Sequence, residues 1–173
     1  MLGHGSSIVR KVMTMITLHR ILMATDFSAY SKEALDYAVH LAKVLAADLY
    51  LLHVYEAPLF VPSGVSLSMR PEVRQWILDV KGEETKKLQT LAEEVRHLGA
   101  KVHPIFKEGA PFMEILKTAE EIPADLIVLG THGRTGLSHV LMGSVAERVV
   151  RKSPCPVFTV RPKSLAGAQE AKG

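Results

Sequence analysis

Short continuous runs of apolar residues alternate along the chain with longer stretches in which apolar residues recur every three or four positions. The short runs, rich in branched residues, are at residues 20–25, 48–55, 101–106, 125–129 and 157–160. Runs of this kind are typical of strands buried on both faces of a parallel sheet. The longer stretches have the spacing of amphipathic helices and are at residues 31–46, 71–98, 109–121 and 143–150.

This alternation predicts a three-layer α/β fold, in which a doubly wound, five-stranded, mostly parallel sheet has helices on both faces. Such a sheet binds ligands beyond the carboxyl ends of its strands, where the strand order reverses. Two residues refine the prediction. Pro104 has no N–H to donate to a ladder, which favours a position for the third strand at a sheet edge, or for the proline near a strand end. Gly82 weakens the long second helix by about 1 kcal/mol relative to Ala, which leaves a bend or loop there as an alternative.

Charge and hydropathy exclude several classes of protein. The chain has 21 basic and 18 acidic residues and a net charge of +3, which is too balanced for a nucleic-acid partner. No run reaches the roughly 18 apolar residues needed to cross a bilayer, so we expect no membrane partner. The apolar run at residues 12–18 is short and has no clear small-residue cleavage site after it, so we expect no signal peptide.

The residues that usually carry chemistry are sparse. The single Cys155 excludes an intrachain disulfide and a cysteine-based zinc site, and it fits a reducing cytoplasm. The eight histidines are scattered without an H-E-x-x-H pair, and neither a G-x-x-x-x-G-K-[ST] loop nor a G-x-S-x-G elbow occurs. We therefore predict no metal ligands and no catalytic residues.

Glycines stand at two places where a phosphate could bind. Gly130 and Gly133 follow the fourth strand, where a missing side chain lets backbone N–H groups approach an anion. Gly143 and Ser144 precede the last helix, whose free N–H groups and dipole favour an anion by about 0.3–1 kcal/mol. The Ser144 hydroxyl could cap that helix or bind the same anion. The glycines alone leave ordinary turns and caps open as alternatives.

The order and spacing of these residues carry a family resemblance. Gly130-x-x-Gly133, nine residues and then Gly143-Ser144 resembles the nucleotide-binding signature of the universal stress protein family. Three further segments also resemble that family, namely Ala24-Thr25-Asp26-Phe27-Ser28, Asp125-Leu126-Ile127-Val128-Leu129 and Ser153-Pro154-Cys155-Pro156-Val157. The resemblance covers residues 18–162. We expect residues 1–17 to be an N-terminal extension and residues 163–173 to be a flexible C-terminal tail.

The resemblance implies a Rossmann-like sheet, similar to the adenine nucleotide alpha hydrolases, with strand order 3-2-1-4-5. It also implies ATP, with or without Mg²⁺, in a crevice at the carboxyl ends of strands 1 and 4. From the sequence position alone, a nucleoside contact and a helix cap are equally good interpretations of Asp26. The resemblance favours the contact with the nucleoside. The nucleotide-binding residues it implies are Ala24, Thr25, Asp26, Val54, Leu129, Gly130, His132, Gly133, Gly143, Ser144, Val145 and Ala146.

Three hypotheses of function follow from the sequence. The first is a cytoplasmic universal stress protein that binds ATP as a regulatory or stress-response module without efficient turnover. The second is a weak ATPase or phosphotransfer enzyme, for which Asp26 and His132 are the only candidate bases. The third is a nucleotide-free, dimeric interaction module. The resemblance implies a homodimer that pairs through the last strand, formed by Val157, Phe158, Thr159 and Val160.

Overall fold

The computed structural model describes residues 17–56, 71–133 and 142–161. Strands and helices alternate through these ranges. In chain order they are β1 (Arg20–Thr25), α1 (Ala29–Leu45), β2 (Asp48–Tyr55), α2 (Pro71–His97), β3 (Val102–Glu108), α3 (Pro111–Glu121), β4 (Leu126–Gly130), α4 (Ser144–Lys152) and β5 (Val157–Val160). The predicted C-terminal tail, and the predicted N-terminal extension apart from Thr17, lie outside the described residues.

The strands form one parallel sheet in the order β3-β2-β1-β4-β5, which confirms the predicted fold and strand order. β1 lies at its centre, with Met23 aligned to Leu51 of β2 on one side and to Val128 of β4 on the other. The strand order therefore reverses between β1 and β4. This is the position at which a doubly wound sheet opens a ligand crevice beyond the carboxyl ends of its strands.

Hydrophobic side chains fill both faces of the sheet, which explains why the strands read as continuous apolar runs. On one face, Ile21 and Met23 of β1 pack in a cluster with residues of α1 and α2. On the other face, Leu22 of β1 and Ile127 of β4 pack in a second cluster with residues of α3 and α4. All four of these strand side chains are fully buried. The three-layer arrangement thus follows from burial on both faces.

The ends of the helices differ from the predicted ones by two residues or fewer, and one interruption that the sequence left open is absent. α1 begins at Ala29 rather than at residue 31, because the Ser28 hydroxyl accepts a hydrogen bond from the Ser31 N–H at 3.1 Å and caps the helix. The bend or loop considered at Gly82 is wrong, since α2 runs unbroken from Pro71 to His97. One glycine costs only about 1 kcal/mol, and the lysines and glutamates around it favour the helix.

The edge position predicted from Pro104 is confirmed. Pro104 lies in β3, opposite Leu51 of β2, and β3 is the terminal strand of the sheet. Its missing N–H therefore removes no hydrogen bond from a central ladder. At the opposite edge lies β5, which is short and pairs with β4 alone among the described strands. Of the helices that the structure describes, none is long and apolar enough to cross a membrane.

Candidate functional site

A crevice of about 390 Å³ opens at the carboxyl ends of β1, β2 and β4. The beginnings of α3 and α4 close its sides, at Pro111 and at Gly143 with Ser144. Small-molecule sites in proteins usually enclose roughly 300–1,000 Å³, so the crevice is large enough for a mononucleotide. Its position is the reversal point of the strand order between β1 and β4.

The structure brings every predicted nucleotide-binding residue to this one crevice. Around it lie Ala24, Thr25 and Asp26 at the end of β1 and directly after it, Val54 of β2, Leu129, Gly130, His132 and Gly133 at the end of β4 and in the turn that follows, and Gly143, Ser144, Val145 and Ala146 at the start of α4. Sequence reasoning missed further lining residues, which are Ser31, Leu52, His53, Tyr55, Glu56, Glu84, Pro111, Ile115 and Thr131. The missed residues in β2 and in the glycine turn lie next to predicted residues in the sequence, and this proximity could have identified them. Glu84, inside α2, had none.

Asp26 combines the two roles that its sequence position left open. Its Oδ1 accepts hydrogen bonds from the Ser28 N–H at 3.0 Å and from the Ser28 hydroxyl at 2.6 Å, so this oxygen shapes the turn before α1. Its Oδ2 is directed at the glycine turn, because a Cβ added to Gly133 would lie 2.9 Å from that oxygen. The cap of α1 itself is Ser28. A carboxylate oxygen therefore faces the crevice beside a backbone that carries no side chain.

The glycine turn after β4 is tied to the start of α4 and to β5. The Gly143 N–H donates to the Thr131 carbonyl at 2.7 Å, and the Thr131 N–H donates to the Val160 carbonyl at 2.9 Å. A Cβ added to Gly143 would lie 3.2 Å from the Thr131 carbonyl oxygen. A Cβ on Gly130 would lie 3.2 Å from the Tyr30 carbonyl oxygen. At these two glycines, a side chain would press against a neighbouring backbone.

The start of α4 presents backbone donors to the crevice. Gly143 is the N-cap of the helix, and no side-chain hydrogen bond caps it. The cap considered for the Ser144 hydroxyl is therefore wrong, because Ser144 is already the first helical residue. Intrahelical bonding starts with the Glu147 N–H, which donates to the Gly143 carbonyl at 3.0 Å. The N–H groups of the first turn have no partner within the helix, and they are suited to an anion.

His132 lies in the wall of the crevice and is only 8% exposed. Its Nδ1 is 3.0 Å from the Thr131 hydroxyl oxygen, and its ring centroid is 6.4 Å from that of Tyr30. Packing and a local hydrogen bond thus fix the ring. The contact between His132 and a phosphate stays a prediction.

A second histidine was not among the predicted residues. His53 of β2 is 1% exposed, and its Nδ1 lies 2.8 Å from the Thr25 carbonyl oxygen. Its Nε2 lies 3.1 Å from Glu84 Oε2, on α2. The ring packs against Phe27 with 4.2 Å between centroids, and Phe27 has a φ of 62°, which a bulky residue rarely adopts. The loop after β1 is therefore supported from beneath by His53.

The electrostatic character of the crevice comes from acids and backbone dipoles. The acidic residues and histidines among its described lining are Asp26, Glu56, Glu84, His53 and His132, and this lining includes neither Lys nor Arg. Arg134, which could neutralise phosphate charge, lies outside the described residues. In the part of the chain described here, no three His, Cys, Asp or Glu side chains gather as metal ligands. An anion here would be held chiefly by N–H groups of the glycine turn and α4.

The sheet order and the crevice at its reversal point define a Rossmann-like α/β protein. Residues 17–161 match the universal stress protein family. The chain therefore belongs to the universal stress protein family.

Individual relatives agree with this assignment. The chain is 41% identical over 143 residues to universal stress protein MJ0531 of Methanocaldococcus jannaschii, which covers 82% of this chain and 81% of the relative. It is 38% identical over 146 residues to universal stress protein YxiE of Bacillus subtilis, which covers 83% of this chain and 99% of the relative. The solved structure of M. jannaschii MJ0577 superposes with a TM-score of 0.74 at 32% identity, covering 86% of this chain and 99% of that one.

Proposed function

We propose that this protein binds ATP or a related adenine nucleotide in the crevice, as a regulatory or stress-response module of the cytoplasm. The observation that carries the proposal is the convergence of Asp26, the glycine turn at Gly133 and the start of α4 on one crevice of about 390 Å³. Each of the three supplies a group that one part of a nucleotide requires. Their separation in sequence makes an accidental association of turns a poor explanation.

The crevice offers a distinct environment to each part of a nucleotide. Val54, Leu129 and Ile115 supply apolar lining, which suits the faces of a base. The Asp26 carboxylate accepts hydrogen bonds, as a ribose hydroxyl requires. The N–H groups at the start of α4 favour phosphate. With acids and no described lysine or arginine in the lining, Mg²⁺ in solution becomes a useful variable for the test.

Two more distant members of the fold support the choice of ligand class. One universal stress protein has been solved in complex with cAMP, and its structure superposes with a TM-score of 0.63 at 23% identity, covering 84% of this chain and 98% of that one. Another, from Archaeoglobus fulgidus, has been solved with dAMP and superposes with a TM-score of 0.56 at 22% identity, covering 83% and 98%. At these identities they show that the same fold exists with adenine nucleotides in other proteins.

Calorimetric titration tests the proposal. The purified protein is first checked by mass spectrometry for carried-over ligand, and is then titrated with ATP, ADP and AMP, each with and without Mg²⁺. We expect saturable binding with one site per chain. A folded, ligand-free protein that binds none of the three would reject the nucleotide assignment and favour the nucleotide-free interaction module.

The enzymatic alternative requires a positioned base, and the same crevice supplies two imperfect candidates. Asp26 has one oxygen engaged by Ser28, and His132 is buried against Thr131. Single-turnover assays with ATP would separate the hypotheses. Turnover that disappears in an Asp26→Ala variant still able to bind ATP would favour the enzyme, whereas binding without turnover in the unaltered protein favours the module.

The homodimer belongs to the same proposal, and the exposed edge of β5 supports it. Phe158 is 40% exposed in this edge strand, and its ring lies 5.9 Å from that of the equally exposed Tyr37 on α1. The outer edge of β5 has no partner among the described strands, and such an edge beside exposed aromatic rings favours pairing with a second copy. Sedimentation of the unaltered protein and of Phe158→Asp tests this. We expect a dimer for the former and a shift to monomer for the latter.

A further inference from the structure

We propose that His53 and Glu84 are positioning residues for the nucleotide crevice, and that they hold the end of β1 through a hydrogen-bond chain that requires one added proton. The inference rests on the proposed function for its consequence, which is a pH-dependent affinity for nucleotide. The chain of contacts itself is a property of the protein without ligand.

The contacts form a continuous path from α2 to the crevice. Glu84 Oε2 of α2 lies 3.1 Å from His53 Nε2, and His53 Nδ1 lies 2.8 Å from the Thr25 carbonyl oxygen. The His53 side chain is 1% exposed and that of Glu84 is 13% exposed, so water competes little for either contact. Thr25 is the last residue of β1, and Asp26 follows it directly. The path therefore ends where the carboxylate of the crevice begins.

The two contacts together require one proton more than a neutral His53 and an ionised Glu84 carry. A carbonyl oxygen only accepts, so His53 Nδ1 must carry the hydrogen in its contact with Thr25. In a neutral imidazole, Nε2 then carries no hydrogen and can only accept. An ionised carboxylate can also only accept, so no hydrogen lies between Nε2 and Glu84. Both contacts are complete when His53 is doubly protonated or when the Glu84 carboxyl is protonated. Once this proton leaves, one of the two contacts has to open.

Opening either contact affects the loop that carries Asp26. The Thr25 hydroxyl accepts the Phe27 N–H at 3.1 Å and is 3.1 Å from the Ser31 hydroxyl, so the end of β1 and the loop are bonded together. The Phe27 ring rests on the His53 ring. A ring that turns or withdraws therefore releases the support of the loop, and Asp26 loses its fixed position opposite Gly133.

Other ionisable groups surround the pair, and the test has to separate their effects from its own. β3 contributes the Phe106 ring, and α1 contributes the Ser31 hydroxyl, neither of which titrates in the range concerned. The ionisable neighbours are Asp26, Glu56 and His132 around the crevice, and Lys81, Glu83, Lys86 and Lys87 on α2, of which Lys81 is paired with Glu108 at 2.6 Å. A variant that changes only the proton requirement of the pair distinguishes these contributions.

Glu84→Gln is such a variant. The amide it introduces has the shape of the carboxyl group and donates an N–H to Nε2 of neutral His53, so both contacts are complete without the added proton. ATP affinity is measured by calorimetry from about pH 5 to about pH 8, the range in which an unperturbed imidazole changes its charge. We expect the unaltered protein to lose roughly three- to tenfold in affinity relative to Glu84→Gln as the pH rises, the worth of one hydrogen bond. ATP's own titration cancels in this ratio.

Two further variants complete the design. Glu83→Gln removes a neighbouring carboxylate on α2 and should keep the pH profile of the unaltered protein. Glu84→Ala should show the weak affinity of the high-pH state at every pH, provided that its circular dichroism and melting curve show a folded protein. Parallel pH profiles for the unaltered protein and for Glu84→Gln would overturn the proposal.

A readout without nucleotide separates this inference from the proposed function. In ¹⁵N NMR spectra, the His53 ring should carry its hydrogen on Nδ1 in the unaltered protein at low pH and in Glu84→Gln throughout. The amide signals of Phe27 and Asp26 should move with pH in the unaltered protein alone. A ring protonated only at Nε2 in Glu84→Gln would reject the hydrogen-bond chain. If the hydrogen-bond chain behaves as expected but the protein binds no ATP, the proposed function is rejected and the hydrogen-bond chain is kept.

Discussion

The two ends of the sheet each hold an aspartate beside a strand, and the structure uses the two residues differently. At the amino end, Asp125 Oδ2 accepts the backbone N–H groups of His19 and Arg20, both at 2.8 Å, and so joins β4 to the start of β1. At the carboxyl end, Asp26 uses Oδ1 within its own turn and directs Oδ2 toward Gly133. One aspartate completes the fold, and the other presents an oxygen to the crevice.

The pKa values of two aspartates at the amino end also reflect hydrogen bonds made within the fold. Burial alone would raise the pKa of Asp125, but the hydrogen bonds from His19 and Arg20 outweigh burial and hold the pKa below its usual value. The hydrogen bond from Lys101 likewise lowers the pKa of Asp48 at the start of β2. Charges at this end are neutralised by neighbours within the fold. The carboxyl end instead collects donors and acceptors around an opening, which is what a ligand requires.

Glycines repeat the contrast between structural and functional positions. Gly133 lies so close to Asp26 that a Cβ would meet Oδ2 at 2.9 Å. Gly82, in the middle of α2, has nothing within 4 Å of the position of a Cβ. Of these two glycines, only Gly133 has a neighbour that an added side chain would have to displace. Four substitutions or conditions test the contrast, beginning with the one that should have the largest effect.

Gly133→Leu should weaken ATP binding by about 100-fold, because the side chain displaces the Asp26 carboxylate and fills the phosphate end of the crevice. Calorimetry measures the affinity, and thermal melting checks the fold. The φ of Gly133 lies outside the left-handed region, so a side chain there does not strain the backbone. Gly82→Ala is the matched control and should bind ATP normally. Unchanged binding by Gly133→Leu would mean that phosphate lies elsewhere.

Asp125→Ala should have the opposite profile. The substitution leaves the N–H groups of His19 and Arg20 without their charged acceptor, so we expect the free energy of unfolding to fall by about 1–3 kcal/mol. Urea denaturation measures this loss. ATP affinity should stay within about twofold, since the residue lies at the other end of the sheet. A large loss of affinity in a folded variant would contradict the division of the sheet into a structural end and a binding end.

Acid should remove the contribution of Asp125. A carboxyl group with a pKa lowered by folding stabilises the protein above its unfolded-state pKa, and this stabilisation is lost as the pH falls through the folded-state pKa. The stability difference between the unaltered protein and Asp125→Ala should therefore be complete at neutral pH and shrink below about pH 4. Urea titrations at both pH values test this. A difference that is constant with pH would show that the carboxylate charge is unimportant.

Sequence reasoning reached most of this contrast because the site is built from segments with local signals. Runs of apolar residues and glycine spacing predict the strand ends, the glycine turn and the start of α4. The order of the strands came from the family resemblance. Asp26 was ambiguous in sequence because it shapes a turn and faces the crevice at once. A single carboxylate with two oxygens can have both roles, and no sequence pattern separates them.

The residues that were missed depend on distant parts of the chain. In sequence, His53 is one polar residue within a buried strand, and its hydrogen-bond partners are the Thr25 carbonyl and the Glu84 carboxylate. Glu84 is 31 positions away on α2, and the helical period does not reveal which turn of α2 faces β2. Ser144 was assigned as a possible cap because Gly-Ser before a helix is a common signal, yet the helix begins one residue earlier than that assignment requires, at Ser144 itself.

Gly82→Ala should have the smallest effect and the opposite sign. Alanine is favoured over glycine within a helix by about 0.5–1 kcal/mol, and here its methyl group meets no neighbour. We expect the melting temperature to rise by about 2–4 °C or less. The described core contacts of α2 lie beyond Gly82, at Leu88, Ala92 and Val95, so part of the gain would be lost if the first half of the helix unfolds early. Hydrogen exchange along α2 would detect such early unfolding. In that case, Gly82→Ala would increase the protection only of amides before residue 82. A fall in melting temperature would mean that the glycine is required by a contact outside the described residues.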